Sequence, residues 1–328
     1  MYFSLIAYQK AKSKLFFFTF ATREQKRIVL MALPNFLCVG AQKAGTTTLY
    51  EILKQHPEIY LPEKVKETKF FVYEEKYARG LSFYENQFFS GWNGQKAIGE
   101  VDPAIMFEEK AAQRIYESLG KEVKLIFILR NPAERAYSHF LMSQRKGFED
   151  LPFEKAIEAE TERLEKKTAQ KFNYSYISRG FYSQQVLRFK NFFTDDQMLF
   201  LLFEEDLIKN RKETFNRLQD FLSVKRAELN LDIRSNEAAL PKIKAVHQLT
   251  RKKNPLRNII GSLLPPEWKR SMQKFISRKN AVAVVNSKLD KKREQELLDN
   301  YFITDIQQLE KIIHRDLSTW YSNVLSTS

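Results

Sequence analysis

The stretch Pro34-Asn35-Phe36-Leu37-Cys38-Val39-Gly40-Ala41-Gln42-Lys43-Ala44-Gly45-Thr46-Thr47-Thr48-Leu49 decides how the rest of the chain is read. Phe36 to Val39 is a short continuous apolar run, the pattern of a buried strand in a parallel sheet. Gly40 and Gly45 bracket a tight turn. From Thr46 onward Leu49, Ile52 and Leu53 fall at helical spacing. A strand, a glycine-bearing turn and a helix start together make an anion cradle, because free backbone N–H groups and the positive helix end point at one spot. The triphosphate-binding form of this loop is G-x-x-x-x-G-K-[ST]. Here Gly45 is followed by Thr46, and the lysine stands inside the turn as Lys43. A lysine there sits over the end of a ligand shorter than a triphosphate, and three threonine hydroxyls can add hydrogen bonds. A plain strand-to-helix turn with an exposed lysine is the other reading these residues allow on their own.

A chain of 328 residues can bury a large core in one or two domains. The formal net charge of +14 suits an anionic ligand, an acidic substrate, nucleic acid or a membrane surface, and equally a plain basic surface. The one cysteine, Cys38, cannot form an internal disulfide and reads as a small buried apolar residue. Single-cysteine usage fits a reducing compartment, so the expected location is cytoplasmic. Near the N-terminus, Lys10, Lys12 and Lys14 precede the apolar run Leu15 to Phe20, which is too short to cross a bilayer. No small-residue cleavage site follows it. Residues 1–30 are therefore expected to be a leader, weakly ordered or surface-packed, with loose membrane contact left open. Residues 31–328 form a single domain whose C-terminal helical part starts at about 255.

Along the chain, Pro57 ends the first helix, and His56 is a helix-end residue rather than a catalyst. Glu67 lies between Lys66 and Lys69, so its carboxylate should stay ionised and could act as a base; a solvated charge run explains the same residues. Ala97 to Val101 reads as a strand, Phe107 to Leu119 as a helix closed by Gly120, and Lys124 to Leu129 as the clearest buried strand. Arg130-Asn131-Pro132 then opens a helix that carries Ser138 two turns on. An arginine at the carboxyl end of a strand suits a phosphate, and it equally suits capping a neighbouring helix. Phe153 to Lys167 reads as a charged surface helix, Met198 to Phe203 as a strand, and Glu204-Glu205-Asp206 as the start of the helix running to about Leu222. The alternation from Phe36 to Leu222 implies an α/β architecture: a P-loop-like three-layer fold with a central parallel sheet flanked by helices. Ala238 to Asn258 reads as a basic loop. Residues 266–276 and 289–313 read as helical, and Leu298, Phe302, Ile306, Leu309 and Ile313 form a stripe that packs the last helix back on the domain, a C-terminal helical extension.

Taken together these stretches resemble the sulfotransferases that use PAPS, 3′-phosphoadenosine 5′-phosphosulfate. The branch they resemble most is that of heparan sulfate N- and O-sulfotransferases and their bacterial relatives. Gln42 to Thr47 looks like the family's 5′-phosphosulfate loop, and Ile128 to Ser138 like its 3′-phosphate element. The end of the chain, Tyr301-Phe302 to Trp320, also resembles the family's closing segment. The resemblance implies that Lys43, with Ala44, Gly45, Thr46, Thr47 and Thr48, holds the phosphosulfate, and that Arg130 and Ser138 hold the 3′-phosphate. It implies Lys43 and Glu67 as catalytic residues: Lys43 stabilises charge on the leaving oxygen, and Glu67 takes a proton from an acceptor hydroxyl or amine. The products are 3′,5′-ADP and a sulfated carbohydrate or glycolipid, and no metal is required. Lys242 and Lys244 are further cofactor-contact candidates. The sequence departs from some heparan-type members, which carry a Glu-Lys pair where this chain has Glu100-Val101-Asp102. That leaves Asp102 as a candidate to act on the acceptor. The alternatives are a P-loop nucleotide kinase or NTPase, which needs a lysine after Gly45, and a basic nucleic-acid-binding protein. The spread of basic residues argues against a nucleic-acid partner.

Overall fold

The computed structural model describes residues 17–19, 28–30, 32–165, 171–233, 239–241, 281–283 and 288–321. One sheet is built from β1 (Phe36–Gly40), β2 (Ile59–Tyr60), β3 (Ala97–Val101), β4 (Lys124–Leu129) and β5 (Met198–Leu202). Their order is β2-β3-β1-β4-β5, and every neighbouring pair is parallel. The longer helices are α1 (Thr46–Leu53), α2 (Ala111–Leu119), α3 (Pro132–Arg145), α4 (Tyr182–Lys190), α5 (Arg211–Phe221) and α6 (Ile303–Ile313). The result is a parallel sheet flanked by helices, with the C-terminal helix present. The described residues divide into two compact units, the first drawn from Met1–Leu129 and Gln184–Ser235, the second from Arg130–Ser183 and Asn236–Ser328.

The first unit holds the sheet. All residues of β1 and β3 are buried; β1 therefore reads as an unbroken apolar run rather than an alternating one, and β3 as an apolar run broken by Glu100. Phe36 pairs with Gly99, and a Cβ on Gly99 would come within 2.1 Å of the Phe36 ring, so only glycine lets that ring lie across the neighbouring strand. Cys38 is fully buried, and burial pushes its thiol pKa up to about 12, as expected of an inert apolar filler. His56 is buried as well. Its Nδ1 accepts from Glu58 N at 3.0 Å, so Nε2 carries the proton and donates to Lys225 O at 2.9 Å. That is a structural joint at a helix end.

The second unit begins at Arg130. Asn131 caps α3: its side-chain Oδ1 accepts from Ala133 N at 3.0 Å and Glu134 N at 3.3 Å, with Pro132 at the first helical position. The Asn131 amide donates in turn to Glu294 Oε1 at 3.0 Å and to the Trp320 carbonyl at 3.5 Å. Leu298, Phe302, Ile306, Leu309 and Ile313 are all buried, as their spacing predicts, and Trp320 is buried too. From α6 the Asp305 carboxylate accepts the N–H groups of Tyr182 (2.7 Å) and Ser183 (3.2 Å), satisfying donors at the start of α4.

Some boundaries differ from the sequence reading. The helix expected over Phe107 to Leu119 starts only at Ala111. The one expected over Phe153 to Lys167 is two pieces, Phe153–Glu158 and Glu160–Glu165. Glu160 turns inward there, and its carboxylate receives Ile177 N and Ser178 N. Within the expected basic loop, Ala239–Pro241 pairs antiparallel with Ala281–Ala283. Lys242, Lys244, the rest of the 238–258 stretch and the helix expected at 266–276 lie outside the described residues, as does most of the 1–30 leader. Among the described residues no helix is long and apolar enough to cross a membrane.

Candidate active site

β1 delivers the chain into the loop at the carboxyl end of the sheet. Ala41 N donates to Ile128 O at 2.6 Å, which ties the loop's entry to the end of β4. Ala44 N donates to Ala41 O at 3.2 Å and closes the turn. Lys43 takes φ 74, and Gly45 at φ 92 forms the N-cap of α1. A Cβ at Gly45 would stand 2.8 Å from the Phe203 ring, so both the backbone angle and the space demand glycine. Gly45 brings no capping side chain to the first-turn N–H groups of α1. This uncapped, positive helix end is what an anion needs.

Glu67 comes to this loop through its neighbour Lys66. The Lys66 ammonium lies 3.1 Å from Thr47 Oγ1, 3.4 Å from Thr46 Oγ1 and 3.5 Å from Glu67 Oε1. Lys69 grips the other carboxylate oxygen of Glu67 at 2.8 Å and reaches Asp102 Oδ1 at 2.6 Å. Burial alone would raise the Glu67 pKa, but Lys69 and then Lys66 outweigh it and hold the carboxyl below its usual range. Lys69 shows the mirror image: burial works against its charge, and Asp102 and Glu67 more than compensate, raising its pKa. Glu67 is thus kept ionised and fixed, the state a general base requires.

Asp102 is fully buried, and its oxygens receive Lys69 N at 2.9 Å, the Lys69 ammonium, and Ala104 N at 3.1 Å. It supports the Lys69 clamp, which corrects the expectation that it acts on the acceptor: no part of its side chain is left to face one. Glu100, which holds the neighbouring Thr68, is also fully buried. It accepts Thr68 N at 3.0 Å and Thr68 Oγ1 at 2.6 Å, and Tyr84 donates its hydroxyl to the second oxygen. Burial, with Asp102 adding repulsion, raises the Glu100 pKa to about 7. Phe70 stacks on Tyr84 with centroids 4.2 Å apart, so the Glu67–Phe71 segment is held by rings as well as by charges.

Thr48 is half-buried on α1, and the remaining two predicted residues, Arg130 and Ser138, belong to the second unit. Arg130 is half-buried; its Nη2 lies 3.0 Å from Glu134 Oε2, and its carbonyl accepts the Tyr182 hydroxyl at 3.0 Å. Ser138 is half-buried two turns along α3. Arg135, on the same helix, is fully buried and donates to the Tyr176 carbonyl.

A sulfotransferase domain model matches residues 33–298, most of the chain and both units. The chain belongs to the sulfotransferase domain family. A crystal structure of a sulfotransferase from Alicyclobacillus acidocaldarius superposes with a TM-score of 0.61 at 26% identity, over 88% of this chain and 98% of that one. Human heparan sulfate glucosamine 3-O-sulfotransferase 5 is 29% identical over 184 residues, 54% of this chain and 50% of that protein. The membrane-associated sulfotransferase kil1 of Dictyostelium discoideum is 37% identical over 133 residues, 39% of this chain and 27% of that protein. The chain thus spans half or less of the length of these two curated relatives. The sequence reading named Glu67 and the loop as candidates, and it did not name Lys66, Lys69 or Glu100, which the structure places against the Glu67–Thr68 segment. The only signal was the placement of two lysines around Glu67; Glu100 acquires its meaning from the segment that folds against it.

Proposed function

We propose that this sulfotransferase domain moves a sulfuryl group from PAPS to a hydroxyl, or an amine, of a carbohydrate or glycolipid. The observation that carries the reading is the convergence of an ionised, clamped Glu67 and an uncapped helix N-terminus through one bridging lysine. PAPS supplies an activated sulfuryl group. Lys43, the N–H groups of the α1 first turn and the hydroxyls of Thr46, Thr47 and Thr48 hold its 5′ end, while Arg130 and Ser138 hold its 3′-phosphate. Ala44 serves chiefly by closing the turn. Glu67 takes the acceptor proton as the acceptor oxygen attacks sulfur, and Lys43 neutralises charge on the phosphate oxygen that departs with 3′,5′-ADP. Positioning and charge stabilisation carry such a transfer, so fixed donors and a fixed base are the right equipment.

The glucosamine 3-O-sulfotransferase named among the relatives favours a glycan hydroxyl as the acceptor, and a net charge of +14 suits an acidic one. A transfer assay with labelled PAPS against glycans and glycolipids tests the reading. Glu67→Gln should lower turnover by at least about a hundredfold, the scale of a lost general base. Binding of 3′,5′-ADP should stay within about twofold, because Glu67 faces the acceptor rather than the nucleotide. Full turnover by Glu67→Gln would remove Glu67 from the base role.

A further inference from the structure

We infer that Lys66 is a catalytic residue whose ammonium binds the sulfuryl oxygens of PAPS during transfer. This rests on the PAPS reading above and goes beyond it, because the residues assigned there leave the sulfuryl group itself without a cation. Lys66 is closer to the two threonine hydroxyls at the head of α1 than to its acidic neighbour: 3.1 Å and 3.4 Å against 3.5 Å. A simple ion pair with Glu67 does not explain that position. A helix N-terminus carries partial positive charge, so a lysine placed there is electrostatically misplaced unless an anion shares the site. Lys43 stands in the same loop. Two lysines and a helix end call for a ligand carrying about two negative charges at this end, and a phosphosulfate carries one on phosphate and one on sulfate.

Position divides the labour between the two lysines. The group being transferred must pass from the cradle to an acceptor that Glu67 is deprotonating. Lys66 touches both the cradle threonines and Glu67. In the transfer the bond between sulfur and the bridging phosphate oxygen breaks with its electron pair going to 3′,5′-ADP. The acceptor oxygen forms the new bond to sulfur, and its proton passes to Glu67. Throughout, the three non-bridging sulfuryl oxygens keep their negative charge, and Lys66 lies on that path.

The test compares two ligands that differ only in the sulfuryl group. PAPS and 3′,5′-ADP are titrated calorimetrically into the full chain as wild type, Lys66→Met, Lys66→Gln and Lys66→Arg, without acceptor. Loss of one charge-assisted contact should weaken PAPS about tenfold in the Met and Gln variants, leave 3′,5′-ADP within about twofold, and be largely restored by Arg. Equal weakening of both ligands would show that Lys66 serves the phosphate or the fold, and unchanged PAPS affinity would show no contact; either result overturns the proposal. Two neutral variants guard against one that merely misfolds. If wild-type protein binds neither ligand, the donor reading fails and takes this proposal with it. If wild type binds both and only the Lys66 pattern fails, the donor reading stands alone.

Discussion

Lys69 ties two carboxylates together, Glu67 at 2.8 Å and Asp102 at 2.6 Å, from a residue whose own backbone sits at φ 60. The Lys69 N–H also reaches Asp102, so backbone and side chain close one ring of contacts beside Glu67. Removing the ammonium should free Glu67 to move and let its depressed pKa climb back. In Lys69→Met the acid limb of the pH profile of kcat/KM should therefore shift upward, and turnover at neutral pH should fall about tenfold or more as the base loses its fixed geometry. An acid limb that stays in place would mean Lys69 does not set the Glu67 proton affinity. The sign is the same for stability. Glu67 ionises more readily in the fold than at its ordinary 4.5, so its contribution is full above that value and is lost as pH falls through the depressed one. The spacing of charges around Glu67 made its ionisation legible from sequence. The Asp102 contribution was not, because nothing local announces that the residue after β3 will meet a side chain thirty-odd positions earlier; the hydrogen bond spans 33 residues.

At the scale of elements, the strands that read best were those that became fully buried. Leu125 to Leu129 and Phe36 to Gly40 are apolar on both faces because helices cover both sides of a parallel sheet. The helices were less legible where the chain winds more widely, as at Glu85–Phe89, Phe203–Lys209 and Leu298–Phe302. Each of these is a π-type turn beside ordinary helix or strand, and a pattern of apolar residues does not separate it from an α-helical turn. The loop before α1 was legible because its glycines have to be where they are. Gly45→Ala would put a side chain at φ 92, costing about 1–2 kcal/mol for the left-handed backbone, and would press a methyl against Phe203. Urea unfolding should show at least that loss. Affinity for 3′,5′-ADP should fall about tenfold as the head of α1 is displaced, a change of about 1.4 kcal/mol. Unchanged affinity in a destabilised variant would separate this loop from nucleotide binding.

For the molecule as a whole, the fold class was settled by the alternation of strands and helices, and the family match covers residues 33–298. What the alternation could not supply was the set of buried charges beneath the site, since Glu100 reads on paper as an interruption of a strand. Its pKa of about 7 in the fold, against an ordinary 4.5, affects global stability. Between those values the folded chain holds a proton that the unfolded chain has released, so the contribution of this group is full below 4.5 and declines as pH rises through about 7. Glu100→Gln should flatten that decline. The gap between the two proteins should change by at most about 3 kcal/mol between pH 5 and pH 8, read from urea midpoints. Self-repulsion from the net charge of +14 is nearly common to both proteins, so the comparison isolates the one carboxyl. Parallel curves would place the proton elsewhere.

The Asn131 amide gives the later part of the chain a hold on the start of α3. One of its faces caps α3, and the other grasps Glu294 and the Trp320 carbonyl, a partner 189 positions away. Trimming the polypeptide back past Ser318, or crowding Trp320 with a bulky fusion, would take a partner from the Asn131 amide and loosen the start of α3, beside Arg130. A purification handle at the C-terminus is therefore the one to distrust when activity is low.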